Sequence, residues 1–203
     1  MTPLKMTSGD QIAKAVANYR ALIEKHGKEF DAELVQIVLG QPEFADEVFA
    51  VFRRRVEAIS NLIVRKVKVD RSRSLQQALD ATGCVQHTDR RVIDGMPKAA
   101  ADETEVVFFK PHLSERNGYI SDDELEKEYA LRGLEHADPI SLAALNEADP
   151  SFAYYKPHCT HWKDAEGKWC YASFNRWNGK RKLGVDRGDG VWHAEWWFAG
   201  VRK

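Results

Sequence analysis

The sequence predicts an α+β protein, an N-terminal helical bundle followed by a module of short helices packed on an antiparallel β-meander. Residues 8–60 space their apolar side chains three and four apart, as amphipathic helices do. Beyond Thr160 the pattern changes to alternation of period two, punctuated by Gly-containing turns. All six tryptophans, Trp162, Trp169, Trp177, Trp192, Trp196 and Trp197, fall in that last stretch. The expected division is a bundle over residues 1–64 and an α+β module over 65–203.

The first helix runs from Ser8 to His26 with the stripe Ile12, Ala15, Val16, Tyr19, Leu22 and Ile23, and Gly27 suits its end. Asp31 to Leu39 reads as a second helix closed by Gly40. Pro42 opens a third, striped by Phe44, Val48, Phe49 or Val51, Phe52, Val56 and Ile59. The run Leu62 to Val69 could prolong that helix, but its β-branched composition favours a strand. Ser74 caps a short helix at Leu75 to Ala81, and Asp89 to Ile93 predicts another turn or two. Lys98 to Glu103 reads as loop, Val106 to Phe109 as a buried strand and Pro111 to Gly118 as loop.

Ser121-Asp-Asp-Glu124 has the spacing of a capping box and starts a helix through Leu131 that ends at Gly133. Asp138-Pro139 starts the next, as far as about Glu147. Four strands follow, at His161 to Lys163, Lys168 to Arg176, Arg181 to Arg187 and Val191 to Val201. Turns at Glu166-Gly167, Asn178-Gly179 and Gly188-Asp189-Gly190 join them. Asn178-Gly179 is the sharpest local signal, because a type I′ turn needs positive φ at both central residues.

Bulk properties exclude several classes. Thirty basic and 31 acidic residues nearly cancel, so the chain as a whole is no polyelectrolyte for nucleic acid or an anionic membrane. No apolar run approaches the 18 or so residues of a membrane span, and Met1 to Asp10 lacks the pattern of a signal peptide. Cys84, Cys159 and Cys170 are an odd, dispersed set, which suits free thiols in a reducing cytoplasm. Charge is uneven, however. Arg53 to Arg73 holds eight basic and two acidic residues, net +6, and Ser121 to Ser151 two basic and nine acidic, net −7. Solvated helix faces explain such runs; a phosphate-binding basic stripe is the functional alternative.

From Ser74 onward, most visibly in Thr160-His-Trp-Lys-Asp-Ala-Glu-Gly-Lys-Trp-Cys-Tyr-Ala-Ser-Phe-Asn-Arg-Trp177 and Trp196-Trp-Phe-Ala-Gly200, the chain resembles the C-terminal part of uncharacterised bacterial proteins of unknown function. The resemblance covers about 130 residues and excludes the N-terminal helices. It implies a bacterial origin and a recurring module, and brings no activity or site residue with it.

Three constellations compete for function. His158, Cys159, His161 and Cys170 are ligand types that suit zinc, but their spacing lacks the paired ligands of a structural site, so no metal or other cofactor is expected. His193 and Glu195 project from one face of a strand and, with Asp186 and His161, could serve a metal-assisted hydrolase of the nuclease type. Neither Ser173 nor Cys170 has the context of an activated nucleophile. The third constellation is aromatic and basic. One sheet face must use about half of the rings as core, yet Trp196 and Trp197 are adjacent and point to opposite faces. With Trp177, Trp192, Arg176, Lys180 and Arg181, and with Arg53, Arg54 and Arg55 as a separate basic stripe, they outline a surface for a protein partner or nucleic acid. The sequence thus favours a non-enzymatic binding module, with the hydrolase as the alternative.

Overall fold

The computed structural model describes residues 8–60, 62–111, 118–188, 190–193 and 195–203; the side chains of 50, 53, 54, 57–60 and 103 are outside that description. The chain is mixed α and β and divides into two compact units, Met1–Phe52 and Arg53–Lys203.

The first unit holds α1 (Gly9–His26), a 3₁₀ turn (Gly27–Glu29), α2 (Ala32–Leu39) and most of α3 (Pro42–Ser60). The Ser8 hydroxyl accepts from the Gln11 amide while the Gln11 side chain accepts from the Ser8 amide, closing a capping box that fixes where α1 begins. Asp31 caps α2 by accepting from the amides of Glu33 and Leu34, without a reciprocal bond. The apolar stripes are present, but none of the described residues of this unit is buried.

The second unit is built on an eight-stranded sheet of β1 (Ile63–Lys68), β2 (Val85–Thr88), β3 (Glu103–Phe109), β5 (Leu134–His136), β6 (His158–Lys163), β7 (Trp169–Trp177), β8 (Lys180–Arg187) and β10 (Trp197–Arg202). The strand order is β1-β3-β10-β6-β7-β8-β2, and β5 also pairs with β10. A two-stranded sheet joins β4 (Tyr119–Ser121) to β9 (Val191–His193). The helices are α4 (Leu75–Ala81), α5 (Arg90–Asp94), α6 (Asp122–Arg132), α7 (Pro139–Ala148) and α8 (Phe152–Tyr155).

The sheet is mixed, which corrects the expected antiparallel meander. β6, β7 and β8 do follow one another antiparallel, with Asn178 at φ 48° and Gly179 at φ 75° in the turn. The last predicted strand, however, breaks at Glu195, where the Trp196 amide donates to the His193 carbonyl. Its first part crosses to β4, and its second slots between β3 and β6, parallel to β6. β2 lies parallel to β8. A local alternation of side chains reports a strand but not its partner, so the pairing of distant short strands was invisible to it. The predicted loop over Pro111 to Gly118 lies, apart from its ends, outside the described residues, as does Asp189 of the predicted last turn.

Each sheet face is covered. On one, Val106, Phe108, Ala172, Phe174, Leu183 and Val185 pack with residues of α4, α5, α7 and α8. On the other, Val107, Phe109, Cys159 and Phe198 pack with Leu125 and Tyr129 of α6 and Trp192 of β9. The two registers Phe109↔Phe198 and Phe198↔Cys159 put these three side chains on one face, and the same alternation puts His161 on it too.

Candidate functional site

Helix α6 decides the site. Its N-cap Ser121 and Glu124 close the predicted capping box, so Asp122, Glu126 and Tyr129 stand one turn apart on the side that meets the sheet. From the sheet, β6 presents His161, β5 presents His136 and β7 presents Trp169.

His161 is the centre of the cluster and is only 1% exposed. Its Nδ1 donates to Oδ1 of Asp122 at 2.9 Å, because a carboxylate can only accept. Its Nε2 lies 3.1 Å from Oε1 of Glu126, but too poorly aimed for a hydrogen bond, and this buried nitrogen has no hydrogen-bond partner. The same Glu126 oxygen sits 2.6 Å from Nε2 of His136. The ring of Trp169 stacks on His161 with centroids 4.6 Å apart and an interplanar angle of 9°, and Tyr129 stacks less closely at 5.6 Å. Together these contacts hold the imidazole in one orientation, and Asp122 keeps a proton on Nδ1.

Asp122 is itself held. It is buried, and its Oδ1 also accepts the indole N–H of Trp192 at 2.9 Å. Gly190 completes the cradle: a Cβ there would collide with the Asp122 carboxylate. The electrostatics agree with the geometry. Burial alone would depress the His161 pKa, but Asp122 and Glu126 outweigh it and hold it above the ordinary value. Burial would likewise raise Glu126, and His161 and His136 bring it down instead. His136 is depressed, by burial first and by His161 second.

One ligand atom each from Glu126, His136 and His161 lie within 4.8 Å of one another, the geometry of a cation site. Two ligand atoms on a tetrahedral zinc stand roughly 3.3 Å apart, given bonds of about 2.0–2.1 Å; the Glu126 to histidine spacings, 3.1 Å to His161 and 2.6 Å to His136, are both shorter, so an ion would have to spread them. Asp122 behind Nδ1 supplies the outer carboxylate that metal-binding histidines commonly use. The site meets solvent on the Glu126 and His136 side, where those side chains are 42% and 26% exposed.

The residues singled out in the sequence are otherwise distributed. His158, Cys159, His161 and Cys170 do not converge: His158 and Cys170 face the α7–α8 side, Cys159 and His161 the α6 side. His158 is instead a core residue, its Nδ1 donating to the Lys156 carbonyl and its Nε2 accepting from Asn146. Among the described residues, His193, Glu195 and Asp186 make no hydrogen bond to one another; His193 packs on Tyr119 and the Asp186 carboxylate accepts the Arg187 amide.

Of the aromatic set, Trp177 is 59% exposed, with the Lys182 ammonium 5.5 Å from its ring, whereas Trp192 is buried beneath the cluster. Trp196 and Trp197 are half-buried and belong to opposite cores; Trp197 lies under Lys156 and Lys110. Arg176 stacks over Tyr154, Arg181 donates to the Asn146 carbonyl, and Lys180 is exposed. Arg55 is exposed and donates to the Leu131 carbonyl; the side chains of Arg53 and Arg54 lie outside the described residues. Glu126, His136 and Asp122 were missed. The available signal was the i, i+4 pair of carboxylates behind a capping box.

Comparison with family models, with curated proteins and with solved structures gives no match. Among the described residues, no helix is long and apolar enough to cross a membrane.

Proposed function

We propose that the protein is a metal-dependent hydrolase acting on anionic esters, with Glu126, His136 and His161 as metal ligands. The observation that carries this reading is the buried Nε2 of His161, without a hydrogen-bond partner and facing Glu126 and His136 while Asp122 occupies its other nitrogen. Three protein ligands leave a fourth position for water, and zinc in such a site lowers the pKa of that water to about 7. Lys163, whose ammonium lies 4.6 Å over the Trp169 ring next to His161, would meet the negative charge of the substrate. The sequence reading favoured binding without catalysis and placed the hydrolase alternative on His193, Glu195 and Asp186 together with His161; the convergence of Glu126, His136 and His161 favours a set that shares only His161 with it.

The test is metal content followed by turnover. Protein dialysed against zinc, manganese or cobalt is expected to retain one ion per chain and to hydrolyse a chromogenic phosphodiester. His136→Ala and His161→Ala should each abolish both. Absence of stoichiometric metal at millimolar supply would reject the reading.

A second reading rests on Trp177, exposed at the β7–β8 hairpin opposite Lys180 and beside Lys182. A flat ring next to cations suits stacking with single-stranded nucleic acid or anchoring of a protein partner. Fluorescence anisotropy with labelled oligonucleotides decides between those two, Trp177→Ala being expected to weaken single-strand binding by about 1–3 kcal/mol.

A further inference from the structure

One end of the sheet, on the face that carries α7 and α8, gathers cations on aromatic rings. The registers Ile63↔Phe108, Phe109↔Phe198, Trp197↔His158 and His158↔Phe174 line up the same end of β1, β3, β10, β6 and β7, and Phe152 of α8 packs there on Phe108 and His158. Arg65 shares a face with Val67, and Arg176 with Phe174, two residues away in their strands; Val67 and Phe174 belong to the core on this side, and Trp197 packs against it. The Arg65 guanidinium lies 5.4 Å from the Phe152 ring centre, and that of Arg176 3.8 Å from Tyr154. The ammonium groups of Lys156 and Lys110 lie 4.8 Å and 5.6 Å from the Trp197 ring centre.

These cations are not neutralised by carboxylates. Arg71, Arg73, Arg132 and Arg187 of the same unit each pair with an acid. Among the described residues Arg65, Lys110, Lys156 and Arg176 form no ion pair. A guanidinium stacked on a ring keeps its in-plane N–H groups for a planar or tetrahedral anion such as phosphate, and the ring restricts its rotamers in advance. In a chain of net charge −1, this is a local excess of positive charge.

The rings identify the anion. Tyr155 is 75% exposed and Tyr154 39%, with their centroids 5.1 Å apart. A polymer that alternates flat bases with phosphates matches rings set among cations, and a single strand offers its base faces where a duplex hides them in its stack. We infer that this end of the sheet, with α8, is a site for single-stranded nucleic acid, Tyr154 and Tyr155 stacking on bases while Arg65, Lys110, Lys156 and Arg176 take phosphates. The metal cluster lies on the opposite sheet face, and Trp177, next to Arg176 in β7, points away from α8 by alternation. The inference thus takes the ligand class of the Trp177 reading and places it on other residues.

The probe is a labelled single strand of about fifteen nucleotides, titrated with the full chain and followed by fluorescence anisotropy. Affinity is expected to fall with salt on a log–log slope of about −3, near −0.7 for each phosphate contact, or about fifty-fold between roughly 50 and 200 mM. Lys110→Gln with Lys156→Gln should flatten that slope by about 1.4. Arg65→Gln with Arg176→Gln, both exposed, should do the same and serves where circular dichroism finds the lysine pair misfolded. Tyr155→Ala should weaken binding roughly five- to 150-fold at unchanged slope. A wild type that binds no single strand at about 50 mM salt overturns the inference, as does equal affinity for a duplex of the same length. Binding that Trp177→Ala removes and Tyr155→Ala leaves intact overturns it too, and leaves the Trp177 reading standing.

Discussion

Oδ1 of Asp122 stands 2.9 Å from Nδ1 of His161, and this pairing decides which imidazole nitrogen is left for chemistry. With its proton held on Nδ1, His161 turns an acceptor at Nε2 toward Glu126 and His136 whenever it carries a single proton. Asp122→Asn keeps the shape and removes the charge. The expected result is a zinc affinity 10–100-fold weaker, measured by competition with a chromogenic chelator, with the helix content unchanged. Equal affinity in the variant would show that Asp122 does not orient the ligand.

Trp192 acts one bond further out. Its indole N–H is the second donor on the same Asp122 oxygen, and hydrogen bonds to a charged acceptor contribute about 1.5–3 kcal/mol. Trp192→Phe should lower the stability to urea by an amount in that range. It should weaken zinc binding less than Asp122→Asn does, because the carboxylate stays in place.

The close approach of Gly190 to Asp122 gives a third test. Since a Cβ at 190 would overlap the carboxylate and reach its Cγ as well, no small adjustment of one flexible atom relieves it. Gly190→Ala should destabilise by about 1–3 kcal/mol, the usual cost of overpacking, and reduce zinc affinity along with it. An unchanged midpoint of thermal unfolding with unchanged metal content would remove Gly190 from the site.

The sequence announced the parts of this site but not their meeting. Ser121 and Glu124 fixed the start of α6, and with it the phase that turns Asp122, Glu126 and Tyr129 to one side. Alternation put His161 in a strand. What no local pattern carried is that β10 inserts between β3 and β6 and pairs with β5 as well, which brings His136 within 4.5 Å of His161, ring centre to ring centre. β5 is three residues long, Leu134–His136, too short for a periodicity to register. The tryptophans misled for a related reason: an aromatic residue in a strand is equally suited to a surface and to a core. Trp192 resolved that choice by donating inward to Asp122.

His158 makes the pH prediction. It is fully buried among Phe108, Phe152 and Phe174, with both ring nitrogens committed to the neutral form. Burial lowers its pKa to about 4, against the weaker opposing effect of the Lys156 carbonyl. In the unfolded chain the same imidazole takes its proton near pH 6.5. The unfolded state therefore binds more protons between these values, and the stabilising contribution is complete above pH 6.5 and lost as pH falls toward 4. The loss attributable to His158 is about 3 kcal/mol at 1.36 kcal/mol per pKa unit. Chemical denaturation of wild type and His158→Gln at pH 7, 6, 5 and 4.5 measures it. The variant starts less stable, because the core contacts of the ring are gone, but its stability should fall less steeply with acid. Parallel decline of the two proteins would show that His158 is not the group whose protonation is suppressed by folding.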